Sequence, residues 1–371
     1  MDRMFASRFF RLSVLLFCIS ATTTLAQAQL LPTLNNTNPV ASTVPANGDL
    51  NPYGVAQVPK TQGKLTQGNI LVSNFNNSAN QQGTGSTIVQ ISPTGAVQLF
   101  AQINAKKLPG SCPGGVGLTT ALVALESGFV VVGSLPTSDG TSATIKAGCL
   151  IILDDEGNVV ETISGGKIAG PWDMTAADGA ETATLFVTNV LNSPDLNSTT
   201  PSPTATVVRV VLRVDVDIPQ VMDTTVVGSG FPVRFDPAAL IIGPTGVALD
   251  GNQDLLFVAD SLNNRIAGIP NPMTITSSAG TGVTLSKGGA LNDPLAMSRV
   301  PNTGNIIISN GGDGNLVEIT DDGLQVAKKL VDSSGSPPGA GALFGLLALN
   351  DRVFFVDDAT NTLNVAEAGS Q

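Results

Sequence analysis

The 371-residue sequence contains no histidine. That removes Ser-His-Asp triads, histidine zinc sites and imidazole acid/base steps from the chemistry available to the chain. Charged residues are scarce at 13%, and acidic ones prevail, for a formal charge of −11. Such a balance repels nucleic acid and anionic membrane surfaces. Aromatics make up only 4%, leaving few platforms on which a sugar could stack. No stretch beyond the N-terminus is long and apolar enough to span a bilayer as a helix. With three cysteines in all, no disulfide-dense scaffold is on offer.

What is present is turn chemistry among apolar runs: 40 Gly and 23 Pro beside 42% hydrophobic residues, too apolar for a disordered polymer. Residues 1–28 have the layout of a secretory leader. Arg3, Arg8 and Arg11 precede an apolar run, Leu12 to Ile19, and small residues end at Ala28, the expected cleavage point. Phe17 before Cys18 argues against a lipid-anchored form. The leader carries three Arg and one Asp, so its removal takes the charge from −11 to −13. An exported chain, secreted or periplasmic, with no membrane insertion after cleavage, is expected. Its two remaining cysteines, Cys112 and Cys149, are then expected to pair.

Internal repetition organises the rest. A strand-opening turn recurs as NPYGVA at Asn51, CPGGVG at Cys112, GPWDMT at Gly170, GPTGVA at Gly243, DPLAMS at Asp293 and ALFGLL at Ala342. The second positions, five prolines and Leu343, stand roughly 50 to 70 residues apart, a little above the period of a four-stranded propeller blade. Proline suits a strand entry, and the small residue two places later suits close packing near a crowded axis. A second apolar run follows in each copy and ends on a polar residue: Asn74, Ser134, Asn189, Asp260, Asn310 and Asp358. A third strand is legible in all six copies. Hairpin turns at Ser92, Asp154 and Thr320 lead to a fourth strand in three of them.

These units predict an all-β fold, a six-bladed β-propeller of four-stranded antiparallel blades over residues 51–371. The segment 29–50, around Pro39 to Pro45, is expected to supply the last outer strand and close the ring. A β-sandwich lacks so regular a repeat, and a β-helix needs a shorter one. The sharpest copy, GPTGVALD followed by LLFVADSLNNRI, resembles the NHL repeat at Gly243, Pro244, Asp260, Asn264 and Arg265. The resemblance implies a propeller from Asn51 to about Ala368. Relatives of that kind include histidine-dependent lyases, which this chain cannot imitate. They also include calcium-dependent lactonases of the gluconolactonase group, whose ion is held by Glu, Asn and Asp at the channel. No glutamate falls on an innermost strand here.

Two rings offer candidate sites. The polar ring Asn74, Ser134, Asn189, Asp260, Asn310, Asp358 can shape loops, or can present a circle of oxygens to an ion or polar ligand. The residues following the opening position, which include Tyr53, Gly114, Trp172 and Phe344, can fill a core or form a contact surface. The paired acids Asp154 with Asp155, and Asp321 with Asp322, fall in hairpin turns. Asp357 and Asp358 lie at a strand end instead. The long loops of units one and three are where specificity would sit. The expected function is non-enzymatic binding of a protein, peptide or extracellular polymer by a monomer without cofactor, on the face carrying Tyr53, Trp172, Phe344, Asn74, Asn189, Asp260, Asn310 and Asp358. The rival is a calcium-assisted lactonase or hydrolase on that same face.

Overall fold

The computed structural model describes Met1, residues 28–192 and residues 198–369. The leader read from the sequence, apart from Met1 and Ala28, lies outside the described residues. Among those described, no helix is long and apolar enough to cross a membrane.

Six antiparallel sheets are arranged as blades around an axis. The innermost strands are Leu50–Gln57, Leu118–Ala124, Pro171–Asp178, Pro244–Leu249, Pro294–Arg299 and Leu343–Ala348. The second strands, Ile70–Asn76, Val130–Ser134, Thr182–Asn189, Leu255–Asp260, Ile306–Asn310 and Arg352–Asp357, are buried almost throughout. They pack against neighbouring blades on both faces, which is why their sequences run apolar without alternation. All six blades have a fourth strand. In the last blade it is Asn36–Ser42, paired antiparallel with Thr362–Glu367, slightly earlier than the Pro39 to Pro45 segment expected.

The N-terminal segment reaches that strand through a buried anchor. The Glu318 carboxylate, fully buried on the third strand of blade 5, accepts the backbone N–H groups of Leu30 and Leu31 at 2.9 Å, and Asn305 Nδ2 donates to it at 2.7 Å. Leu30, Leu31 and Leu34 then pack with Leu343, Leu346 and Phe355 between blades 5 and 6.

Register sharpens the repeat. In every blade the inner-strand residue before a bulge pairs with the polar residue ending the second strand, or in blade 1 standing two residues short of its end. The pairs are Pro52 with Asn74, Leu118 with Ser134, Pro171 with Asn189, Pro244 with Asp260, Pro294 with Asn310 and Leu343 with Asp357. Two assignments are thereby corrected. The sixth member of the polar ring is Asp357, since Asp358 lies one residue past the strand. In blade 2 the opening residue is Leu118 and its follower Thr119, because Pro113 and Gly114 belong to the entry loop.

The small residues within the bulge answer to crowding between inner strands. A Cβ on Gly345 would stand 2.1 Å from the carbonyl oxygen of Tyr53, and one on Gly246 2.2 Å from that of Leu295. Hydroxyls staple alternate blades together at the same level. Ser73 Oγ accepts Gly54 N–H and donates to the Thr119 carbonyl of the next blade. Thr188 does the same between Asp173 N–H and Thr245, and Ser309 between Ala296 N–H and Phe344.

Candidate functional site

On the upper face, where the inner strands begin, the polar ring is spent on structure. Asn74, Ser134, Asn189, Asp260 and Asn310 are each fully buried. Asn189 Oδ1 accepts the N–H groups of Ala169 and Gly170, and its Nδ2 donates to Lys167 O. Asn310 holds Asn292 N–H and Ala290 O in the same way, while Ser134 Oγ bridges Gly115 O and Gly117 N–H. Asn74 Nδ2 donates to Thr43 O and Thr87 Oγ1. Asp260 accepts from Asn263 and Arg265. Short polar side chains meeting nearby backbone groups fix each upper loop.

The aromatics fill the upper end of the axis. Tyr53 is 2% exposed and Trp172 5%. Tyr53 stacks on Phe344 at 4.0 Å and on Phe75 at 4.4 Å between ring centroids, and Trp172 meets Tyr53 and Phe75 edge-on at 6.1 and 5.7 Å. Burial, with the Asp358 carboxylate nearby, pushes the Tyr53 phenol up. The plug is an interior cluster and not the exposed contact surface that was one of its two sequence readings.

A hairpin lies above it. The outer strand of blade 3 runs 17 residues, Gln220–Asp236, and turns back into Leu240–Ile242 as a fifth strand. Phe235, Leu240 and Ile241 join the cluster of Tyr53, Trp172 and Phe75. At the tip, Ala238 O accepts Gln82 Nε2 of the long blade 1 loop at 2.6 Å, so the insertions of units one and three meet over blade 2. Cys112 and Cys149 form a disulfide here, tying the blade 2 entry loop to the start of its third strand. Only about 80 Å³ of cavity remains between hairpin and plug, lined by Tyr53, Trp172, Ile241, Asp293 and Phe344 among others.

Acids gather at the edge of this cap. Burial pushes Asp293 up to about 6, a shift moderated by Arg234, and burial with Asp357 pushes Asp358 to about 6. Among the described residues, no group of three or more His, Cys, Asp or Glu is placed to hold a metal ion.

Below the plug the axis opens. A channel of about 370 Å³ receives residues from all six inner strands. Its collar is the residue directly after each bulge: Val55, Leu122, Met174, Val247, Met297 and Leu346. Gln57, Asp178, Ser298 and Arg299 form the polar lower rim. Arg299 Nη2 donates to Pro301 O, and its guanidinium lies against Gly251.

One carboxyl sits at the inner end, where Thr120 and Ala296 line both this channel and the cavity above. It is Asp173, 7% exposed, in the position that holds Gly54, Gly246 or Gly345 elsewhere. Its Oδ1 accepts Met174 N–H at 2.7 Å. Burial holds this carboxyl well above the ordinary range, partly offset by the N–H groups of Met174 and Val247. Among the described residues no Lys or Arg forms an ion pair with it. The sequence signal for Asp173 was available: an acid stands in GPWDMT where the other repeats carry a small or neutral residue.

Comparison with protein-family models and with curated proteins finds no match. Solved structures are similar at low identity. A gluconolactonase from Xanthomonas campestris aligns at 13% identity and TM-score 0.53 over 91% of each chain. A luciferin-regenerating enzyme aligns at 10% and 0.53, over 89% of this chain and 94% of the other. Regucalcin, a calcium-binding protein from Agrobacterium tumefaciens, aligns at 11% and 0.52, over 90% and 96%. What they share with this chain is architecture, and the six-bladed propeller expected from the NHL-like repeat at Gly243 to Ile269 is its fold.

Proposed function

We propose that this protein is an exported, non-enzymatic binding propeller that engages a protein, peptide or extracellular polymer through the lower mouth of its central channel. The observation that carries the reading is the asymmetry of the axis. The upper end is filled by stacked aromatics under a hairpin, while the lower end opens into a channel of about 370 Å³ to which every blade contributes. Open concave sites ringed by a few polar groups are where ligands bind.

Chemistry favours binding over turnover. The channel is lined by three charged side chains, Asp173, Asp178 and Arg299, and the chain has no histidine. Hydrolysis by carboxyl groups uses an acid and a base together across the reacting bond, and Asp173 stands alone at the inner end. The calcium-assisted lactonase remains the rival. It would use upper-face oxygens, yet those of Ser134, Asn189, Asp260 and Asn310 already serve their own loops, while Asn74 Oδ1 is buried without a partner.

A peptide array separates the two faces. Thr175→Trp, which fills the channel near its rim, is expected to abolish capture, and Gln82→Ala on the upper face is expected to leave it intact. Capture that survives Thr175→Trp overturns the channel reading.

A further inference from the structure

We infer that the channel recognises a primary ammonium on a slender aliphatic stem, a lysine side chain presented by a protein or peptide partner, with Asp173 as its counterion. This deepens the reading that ligands enter from the lower face, and rests on it.

The argument starts from what lines the path. Beyond the rim, the six collar residues give the lining one apolar residue from each blade, which suits methylene groups, beside the hydroxyls of Thr120 and Thr175. At the end of this sleeve stands a single carboxyl, Asp173, nine-tenths buried and without a cationic neighbour among the described residues. Burying a carboxylate in such surroundings costs several kcal/mol, which proton uptake or a cationic partner offsets, and a ligand ammonium is such a partner. The other repeats show that the fold does not need one here, since Gly54, Gly246 and Gly345 hold the same place. An acid where glycine satisfies the packing, at the bottom of a channel with an apolar collar, matches a ligand with an apolar stem and a positive tip. Lysine has that form, and its ammonium is a compact charge with three donors. Arg299, the cation of the lining, lies at the outer rim against Gly251, away from the inner end. The chain's formal charge of −11 draws a cationic partner in.

The test is calorimetric titration with N-acetyl-lysine methylamide and with its norleucine counterpart, which keeps the stem and lacks the ammonium. The wild-type protein is expected to bind the lysine probe at least tenfold more tightly. Asp173→Asn should erase that preference, and Asp173→Glu, which keeps the charge and moves it by one methylene, should retain part of it. Equal binding of the two probes by wild type overturns the inference, as does a preference that persists in Asp173→Asn. If Asp173→Asn fails to fold, the probe comparison on wild type and Asp173→Glu still decides. An array ligand lost in Thr175→Trp but indifferent to lysine and to Asp173→Asn refutes the lysine inference while leaving the channel reading in place. Array capture that is indifferent to Thr175→Trp removes both.

Discussion

Asp260 and Arg265 form the best-buried ion pair of the structure among the described residues, and removing one partner gives a large, calculable effect. The Arg265 guanidinium approaches the carboxylate at 2.8 Å, with side-chain exposures of 10% and 0%. Arg265 also donates to Thr284 Oγ1 and Thr281 O, pinning the blade 4 outer strand and the turn before it. Arg265→Met keeps the stem but leaves the Asp260 carboxylate with Asn263 as its remaining side-chain donor. An uncompensated buried charge costs about 3 to 5 kcal/mol. With an unfolding entropy near 2.1 cal/mol/K per residue over roughly 340 residues, that corresponds to a drop in Tm of about 4 to 7 °C. Asp260→Asn with Arg265→Met should recover most of it, because replacing both partners is often close to neutral. Differential scanning calorimetry reads both values. The loss should persist at 1 M salt, since a pair out of water is little screened. An Arg265→Met protein within about 1 °C of wild type, or a double variant no better than the single, would refute the account of this pair as a buried structural bond.

The upper-face acids predict a pH window. Asp293 and Asp358 titrate at about 6 when folded, above the ordinary carboxyl value of 3.8, so the folded state holds its protons more tightly. Their contribution to stability is therefore greatest below pH 4 and is lost as pH rises toward 6, at about 1.4 kcal/mol for each pH step between the unfolded and folded values. Asp293→Asn and Asp358→Asn should flatten the stability profile between pH 4.5 and 6.5, and an unchanged slope in urea titrations would count against both. Cys112→Ser with Cys149→Ser opens a loop spanning a sequence separation of 37 and should cost about 4 kcal/mol in urea unfolding on the chain-entropy model. Glu318→Ala strips the buried acceptor from Leu30 and Leu31 N–H, at about 1 to 3 kcal/mol per group, and should expose residues 28–34 to limited proteolysis. If calcium acts on this protein, millimolar calcium must raise Tm by stabilising the native state; no shift discards the lactonase alternative.

The blades were legible because each strand announces itself locally. Pro244 opens an inner strand, Leu255 to Ala259 is apolar without interruption, and Asp260 stops it, a pattern that needs no knowledge of neighbours. Dipeptides such as Ser73-Asn74, Thr188-Asn189 and Ser309-Asn310 even mark the inter-blade staples and the loop-fixing residues side by side. The blade 2 register failed for a specific reason. Pro113 supplies the expected motif five residues early, in a loop held by the disulfide, whereas the true opening residue Leu118 lacks the proline. In blade 6 two adjacent acids follow Val356, and the pairing of Leu343 with Asp357 decides which of them ends the strand. The fate of the blade 3 insertion was also hidden, because nothing in its sequence says that Phe235 and Ile241 fold over the axis.

Composition and repetition thus determined, from the sequence alone, an all-β ring of six blades, a chain without imidazole chemistry and two cysteines placed to pair. Strand period, turn residues and residue inventory are local quantities, and locality makes them readable. Which end of the axis is open was decided only by tertiary structure. Tyr53, Trp172 and Phe344 lie far apart along the chain and form a plug because the ring brings their blades to one axis. The same arrangement places Asp173, one acid among many in the sequence, at the inner end of the channel, where it is buried and without a cationic partner among the described residues.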